Sequence, residues 1–366
     1  MRPDSELTNL SEKVSAFIVS GEGGDETFNA LALEVFAYQH RTIALYRALC
    51  DRYGRTPATV ASWTDVPAVP ADAFKHFRLF SGSDDDVRQT FRSSGTTRPG
   101  SNSQAHFSDI GLELMDAAVE ANARRSLFPD DRKMRVLLVA PPPERAPHMI
   151  MVNGLQRIAA RFGSGPARSF VGPNGLMTAE LVGELEGIVR DKIPVALLGS
   201  SFGFVHLFDH LEEKNKKLVL PEGSRLMDAG GYKGRSREMT RDAFVELARS
   251  FLGLPPDRIV NLLGMTEMAS QIYDDVSASR AKQPPHWMRT RVVNPARIVK
   301  GIPESAGDRQ GLLRHWDLAN IERPMVIQTE DIGVQRGNGF DILKRAKGAE
   351  PRGCSLTMEE WKGESA

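Results

Sequence analysis

Four short apolar runs divide the middle of the chain into a regular pattern. They occupy residues 134–140, 193–198, 224–229 and 258–263. Each has the length of a buried strand, and segments with helical periodicity lie between them. The segment before the last run begins at a capping residue, Thr240, and ends at Gly253. Buried strands that alternate with helices predict an α/β fold in which mostly parallel strands are flanked by helices.

The regions on either side of this pattern differ from it. Residues 1–75 are predicted to be helical, with apolar residues at helical spacing between Phe28 and Tyr53. Beyond residue 285 the sequence pattern favours strands joined by turns, with the strands at 289–294, 311–316 and 324–329. The sequence therefore predicts four parts, which are a helical region (1–75), an α/β core (76–284), a smaller β-rich subdomain (285–345) and a C-terminal tail (346–366).

Charge and composition exclude several classes of protein. Lys plus Arg and Asp plus Glu both number 47, so the basic excess of a typical nucleic-acid binder is absent. No apolar run approaches the ~20 residues of a membrane span, and the polar N-terminus does not resemble a secretory signal. Cys50 and Cys354 are the two cysteines, which favours a cytoplasmic protein with free thiols. Cys50 lies in an apolar helical run and is expected to be buried.

A loop rich in hydroxyl groups follows the start of the α/β core. It consists of Ser93, Ser94, Gly95, Thr96 and Thr97. Hydroxyl and backbone N–H groups can surround phosphate oxygens, and the glycine allows close approach of the backbone. The pattern is not that of the common P-loop, which requires a Gly-Lys-Ser/Thr ending. The alternative interpretation is a surface linker, the usual role of such a cluster.

Two acidic segments follow predicted strands. Gly264, Met265, Thr266 and Glu267 come directly after the run 258–263, where ligands of open α/β sheets bind. Thr266 could donate to a phosphate, and Glu267 could hold Mg²⁺ through its carboxylate. Asp331 follows a later strand and could accept hydrogen bonds from sugar hydroxyls. The alternative for both segments is an ordinary turn.

Two further segments are weaker candidates for substrate binding. Phe202 and Gly203 follow the run 193–198 and could line a pocket for an apolar acid, or could serve only helix–strand packing. His148 follows a proline-rich stretch and could gate that pocket, although a surface histidine is the simpler interpretation.

The phosphate-type loop, the Gly-Met-Thr-Glu segment and Thr329-Glu330-Asp331, in this order, resemble motifs of the adenylate-forming superfamily of acyl- and aryl-CoA ligases. Gly230 and Gly231 are similar to the glycine-rich segment that lies along the adenine in that superfamily. The resemblance implies the fold of the superfamily's large domain. The mobile C-terminal domain, with its catalytic lysine, would be truncated or absent.

A closer resemblance covers nearly the whole chain. It is carried by Phe36-Ala37-Tyr38-Gln39, by Val66-Pro67-Ala68-Val69-Pro70, by Pro284-Pro285-His286-Trp287 and by the ending Arg352-Gly353-Cys354-Ser355. These segments resemble the acyl-protein synthetase (LuxE) family. Members of that family make an acyl-adenylate from a fatty acid and ATP. They then move the acyl group to a cysteine near their own C-terminus and onward to a reductase.

This resemblance implies a role for each matching residue. Ser93, Ser94, Gly95, Thr96 and Thr97 would cradle the β- and γ-phosphates of ATP, and Gly230, Gly231, Gly264 and Met265 would border the nucleotide. Thr266 would contact the α-phosphate, Glu267 would hold Mg²⁺, and Asp331 with Arg345 would bind the ribose. Cys354 would accept the acyl group. Lys347 or another nearby cation would replace the missing catalytic lysine, or Mg²⁺ and the phosphate loop would serve the adenylation step without one. One departure from the superfamily is Leu263, which stands where an aromatic residue usually stacks on adenine.

The expected function is therefore activation of a fatty or similar apolar carboxylic acid by ATP and Mg²⁺, followed by transfer to a thiol. The acceptor thiol is expected to be that of Cys354, of an acyl reductase, of a carrier protein or of coenzyme A. Two alternatives stay open at this point: a CoA or carrier-protein ligase that uses an external thiol, and a nucleotide-binding partner of a reductase without catalysis. The sequence also leaves open a homo-oligomer.

Overall fold

A computed structural model describes residues 5–93, 102–230, 237, 239–277, 279–294 and 310–345. The helices are α1 (Ser5–Val19), α2 (Asp25–Thr42), α3 (Ala44–Arg52), α4 (Ala73–His76), α5 (Asp109–Ser126), α6 (Ile150–Phe162), α7 (Thr178–Asp191), α8 (Ser201–Glu213) and α9 (Arg241–Leu252). The strands are β1 (Val69–Pro70), β2 (Gln89–Arg92), β3 (Gln104–Phe107), β4 (Arg135–Val139), β5 (Arg168–Ser169), β6 (Val171–Gly172), β7 (Gly175–Leu176), β8 (Val195–Ser200), β9 (Arg225–Ala229), β10 (Ile259–Leu263), β11 (Ile272–Asp274), β12 (Lys282–Gln283), β13 (Met288–Val293), β14 (Gln310–Asp317), β15 (Val326–Arg336) and β16 (Gly339–Arg345).

Contacts divide the chain into two compact units. Among the described residues, the first unit contains those up to Ala121, Met265–Ile272 and those from Ala281 onward. The second unit contains those of Asn122–Gly264 and Tyr273–Arg280. The finer division into four parts, expected from the sequence, stays a prediction.

Parallel strands form the centre of the second unit, in the order β5-β4-β8-β9-β10. Every residue of β8 is buried, which explains why its sequence is a continuous apolar run rather than an alternating one. Leu197 of β8 lies beside Leu137 of β4 and Leu226 of β9. All four strands predicted from the apolar runs are confirmed.

Helices of the second unit pack their apolar faces into one core with these strands. Phe204 of α8 and Phe244 of α9 are fully buried there. Helix α9 begins where predicted, because the Thr240 hydroxyl accepts a hydrogen bond from the amide of Ala243 at 3.2 Å. It ends at Gly253, whose φ of 67° is the left-handed conformation that glycine adopts without strain.

Antiparallel strands predominate in the first unit. Strands β13, β14, β15 and β16 pair in that order, and β1 pairs with β15 in parallel. The strand predicted at 324–329 begins at Val326 and continues to Arg336, so it is longer than expected. Parallel strands with helices in one unit and antiparallel strands in the other confirm the predicted α/β class with a β-rich part.

The N-terminal helices belong to the first unit. The helical run expected across 28–53 is divided at Ile43, whose backbone is extended, so α2 ends at Thr42 and α3 begins at Ala44. Two adjacent β-branched residues, Thr42 and Ile43, have low helix propensity, and the Ile43 side chain is buried. Cys50 in α3 is buried as predicted, and burial raises the pKa of its thiol to about 12. Among the described residues, no helix has both the length and the apolarity that crossing a membrane would require.

Candidate functional site

The predicted phosphate loop joins strands β2 and β3, which form an antiparallel hairpin. The Ser93 amide donates to the Ser103 carbonyl at 3.0 Å, and the Ser103 amide donates to the Ser93 hydroxyl at 2.9 Å. Ser93 therefore closes the neck of the loop with both its backbone and its side chain. Ser94, Gly95, Thr96 and Thr97 lie outside the described residues, so the phosphate role of the loop stays a prediction.

Thr266 and Glu267 lie in a tight turn just after β10. We call residues 265–270 the Thr-Glu turn. The Met268 amide donates to the Met265 carbonyl at 3.3 Å, and the residues Thr266 and Glu267 are 2% and 1% exposed. A carboxylic acid is rarely buried this deeply without a structural or functional reason. The turn thus presents one hydroxyl and one carboxylate at fixed positions.

A second segment of the first unit holds this turn. We call residues 317–323, which begin at the last residue of β14, the anchoring loop. Its Asn320 amide group donates to the Glu267 carbonyl at 2.8 Å. Its Asp317 carboxylate accepts from the amides of Ala269 and Ser270 at 3.0 and 2.9 Å and from the Ser270 hydroxyl at 2.7 Å. Burial raises the pKa of Asp317 above its ordinary value, and the Ser270 and Ala319 donors oppose this shift.

Asp331 and Arg345, the predicted ribose-binding pair, are brought together in the first unit. The two residues face each other in the register of β15 and β16, and Arg345 Nε lies 3.5 Å from Asp331 Oδ1. Arg345 Nη2 donates to Glu330 Oε2 at 2.6 Å. Glu330 is the residue that replaces the glycine of the superfamily motif, and it fixes the arginine beside Asp331.

The glycine-rich segment belongs to the second unit. Gly230 has φ of 81°, a conformation that residues with a side chain rarely adopt, and Gly231 lies outside the described residues. The Ser201 hydroxyl lies 3.0 Å from the Gly230 carbonyl and donates to Asp228 Oδ2 at 2.7 Å. Asp228 also accepts from Arg241 at 2.5 Å. This buried polar cluster supports the start of the segment, and no motif in the sequence indicates it.

The remaining candidates occupy varied positions. Phe202 and Gly203 lie in the first turn of α8, and a Cβ at Gly203 would lie only 2.6 Å from Val139 Cγ1. Gly203 is therefore required for close packing of α8 on β4, whether or not it also contacts a substrate. His148 is exposed, and Lys347 and Cys354 lie outside the described residues.

No group of three or more His, Cys, Asp or Glu side chains within the described residues is arranged to hold a metal ion. Mg²⁺ in phosphate-binding enzymes is commonly held by one or two carboxylates together with the phosphates of the substrate. The single carboxylate of the Thr-Glu turn fits that donor set.

Comparison with known proteins gives a family and a fold. Residues 3–362 match the family described as acyl-protein synthetase, LuxE. A long-chain-fatty-acid–luciferin-component ligase from Vibrio harveyi is 21% identical over 334 residues, which are 89% of this chain and 85% of that protein.

Solved structures with a similar fold include a long-chain-fatty-acid–CoA ligase from Archaeoglobus fulgidus. It matches with a TM-score of 0.51 and 12% identity, over 93% of this chain and 77% of the ligase. ATP-bound MatB from Rhodopseudomonas palustris matches with a TM-score of 0.48 and 16% identity, and this chain spans only 56% of its length. The first of these likenesses supports the α/β fold expected from the sequence.

Proposed function

Because the chain belongs to the acyl-protein synthetase (LuxE) family, we propose that it activates a carboxylic acid with ATP as an acyl-adenylate and then transfers the acyl group to a thiol. The observation that carries the proposal is the buried Thr-Glu turn, with its carbonyl and amides held by the anchoring loop. The competing interpretation, an ordinary turn, does not account for a buried glutamate at its tip.

Adenylation converts a poor acyl donor into a good one. A carboxylate oxygen attacks the α-phosphorus, the bond to the β-phosphate oxygen breaks, and pyrophosphate leaves. Both reactants are anionic, so catalysis consists mainly of positioning and of charge neutralisation. Thr266 is proposed to donate to the α-phosphate. Mg²⁺ bound by Glu267 and the phosphates would supply positive charge when present.

Three other features are proposed to hold the nucleotide. The hairpin loop that begins at Ser93 would place hydroxyls and amides around the β- and γ-phosphates. Asp331 would accept hydrogen bonds from the ribose hydroxyls, with Arg345 beside it. The segment that begins at Gly230 would lie along the adenine. Gly264 and Met265, which precede Thr266, would also border the nucleotide.

The acid is proposed to be a long-chain fatty acid or a similar apolar acid. This follows from the family and from the activity for which the Vibrio harveyi relative is named. The first acceptor is proposed to be Cys354, whose thiolate would attack the acyl carbon and release AMP. Phe202, Gly203 and His148 are retained as candidates for contact with the acid, and Lys347 as the cation of the adenylation step.

Carboxylate-dependent exchange of pyrophosphate into ATP tests the activation step. We expect exchange with long-chain fatty acids in a panel that also includes aryl and amino acids. Replacing Glu267 by glutamine should lower the exchange rate by about 100-fold or more, because one charge-stabilising group is lost at the reacting phosphates. Glu246→Gln is the matched control, since Glu246 is an exposed helical residue paired with Arg249. Equal activity of Glu267→Gln and wild type would contradict the role of Glu267.

Labelling with a radioactive fatty acid tests the acceptor. In Cys354→Ala we expect normal pyrophosphate exchange and no acyl adduct on the chain. Cys50→Ala is the control, because Cys50 is a buried thiol with a raised pKa and should not be acylated. An adduct that persists in Cys354→Ala, or turnover with coenzyme A that needs no adduct, would favour an external or different thiol.

A further inference from the structure

Glu267 is useful to a phosphate-binding site only if its carboxylate is held in place, yet it lies in a turn rather than within a helix or strand. Catalytic groups must be held to within about 0.5 Å of their productive position. The residues that hold this turn are therefore part of its chemistry. The contacts of the anchoring loop identify which residues these are.

Asn320 binds the turn from behind. Its side chain is fully buried, and both ends of the amide are used. Nδ2 donates to the Glu267 carbonyl at 2.8 Å, while Oδ1 accepts from Arg323 Nη2 at 2.8 Å. The hydrogen bond is made to the backbone of the glutamate itself, so a shift of Asn320 would shift the carboxylate.

Asp317 holds the two residues that end the turn. Its carboxylate accepts the amides of Ala269 and Ser270, and the Ser270 hydroxyl as well. The Trp287 indole donates to the same Ser270 hydroxyl at 2.9 Å, which orients it toward Asp317. Together with Asn320, this fixes the main chain at residues 267, 269 and 270.

The anchoring loop is itself held rigidly. The Gln39 side-chain amide of α2 donates to the carbonyls of Asn320 and Arg323, both at 2.5 Å, and accepts from the Met325 amide at 3.1 Å. The Arg323 guanidinium donates to the His106 carbonyl at 2.8 Å and lies 3.5 Å from the centre of the Phe107 ring. A buried network of hydrogen bonds such as this one rigidifies the segments that it joins.

We infer that Asn320 and Asp317 are positioning residues for Glu267. Through Glu267 they set the Mg²⁺ concentration that the reaction requires. This inference rests on the proposed function. Removing a group that orients a metal ligand commonly lowers metal affinity or activity by about 10- to 100-fold. A purely structural role would lower stability without changing the dependence on Mg²⁺.

Asn320→Asp is the sharpest variant. It keeps the shape and the acceptor facing Arg323, but replaces the donor to the Glu267 carbonyl with an oxygen. The matched control is Thr290→Val, which breaks another buried polar contact of the first unit, the 2.9 Å hydrogen bond between Thr290 and His315. Ser270→Ala is a second variant, to be used if Asn320→Asp does not fold. It removes the hydroxyl that donates to Asp317 and accepts from the Trp287 indole, and it leaves the two amide hydrogen bonds to Asp317 in place.

Two measurements are made on the full chain. The first is hydrogen exchange of the peptide that covers residues 265–272, which needs no activity. The second is pyrophosphate exchange as a function of Mg²⁺ concentration. For Asn320→Asp we expect faster hydrogen exchange in this peptide, and a rise of about 10-fold or more in the Mg²⁺ concentration for half-maximal rate. For Ser270→Ala we expect the same changes to a smaller extent, and for Thr290→Val neither.

Unchanged hydrogen exchange in Asn320→Asp would overturn the anchoring itself. Faster hydrogen exchange with an unchanged Mg²⁺ dependence would overturn the positioning role. If the wild type shows no acid-dependent pyrophosphate exchange, the proposed function fails, and the positioning role fails with it. Hydrogen exchange would still decide the anchoring, so the two failures can be told apart.

Discussion

Replacing Gly203 by alanine tests whether this residue is required by packing. An added Cβ would lie 2.6 Å from Val139 Cγ1 and 2.9 Å from the Ser200 hydroxyl. Val139 is fully buried in β4, and Ser200 caps α8 by accepting from the Gly203 amide. A shift of either atom would therefore disturb the core packing or the helix cap. Overpacking of this kind costs about 1–3 kcal/mol. The better helix propensity of alanine offsets about 0.5–1 kcal/mol of this cost, so we expect a net loss of about 1 kcal/mol, within limits of about 0 and 2.5 kcal/mol.

Thermal denaturation and fatty-acid kinetics together measure this effect. Gly183→Ala in α7 is the control, because no atom lies within 4 Å of its added Cβ and the change should stabilise the chain. We expect Gly203→Ala to lower Tm, and Gly183→Ala to maintain or raise it. A Gly203→Ala variant as stable as the wild type, with a raised KM for the acid, would refute the packing argument and favour contact with the substrate.

Three further predictions concern the first unit. Burial lowers the pKa of His315 to about 4, below its unfolded value near 6.5, so its contribution to stability is present above pH 6.5 and is lost as the pH falls toward 4. Between pH 7 and pH 5 this loss is about 2 kcal/mol in the free energy of unfolding. In denaturation experiments on His315→Gln, the free energy of unfolding should not show this part of the pH dependence. Ser93→Ala should raise the KM for ATP several-fold by opening the neck of the loop, whereas Ser93→Thr, which keeps the hydroxyl, should not. Glu330→Gln should change stability by less than about 1 kcal/mol, because the pair with Arg345 is partly exposed, yet raise the KM for ATP by releasing that arginine.

The parallel strands could be predicted because their signal is local. Each buried strand of the second unit appears as an apolar run, and the limits of α9 are set by Thr240 and Gly253 within the same short stretch of chain. The break at Ile43 was not predicted, because apolar residues continue across it with helical spacing. Periodicity indicates which face of a helix is buried, but a single extended residue leaves it nearly unchanged.

The support of the candidate site could not be predicted in the same way. Asn320 binds Glu267 across 53 residues of sequence, and Gln39 reaches the anchoring loop across 281. The available signal was an acid and an amide within the apolar stretch that follows Trp316, because buried polar side chains require partners. That signal indicates that the acid and the amide have hydrogen-bond partners, but it does not identify those partners. Glu330 was noticed only as a departure from a motif, and its ion pair with Arg345 gives that departure a structural reason.

The most direct test of acyl-adenylate formation follows an oxygen atom. A fatty acid labelled with oxygen-18 in its carboxylate is incubated with the enzyme, ATP and Mg²⁺, and the products are analysed by mass spectrometry. Attack of the carboxylate on the α-phosphorus, followed by cleavage of the acyl C–O bond, predicts AMP that carries one labelled oxygen. Label in inorganic phosphate together with ADP, or AMP without label, would contradict the proposed chemistry.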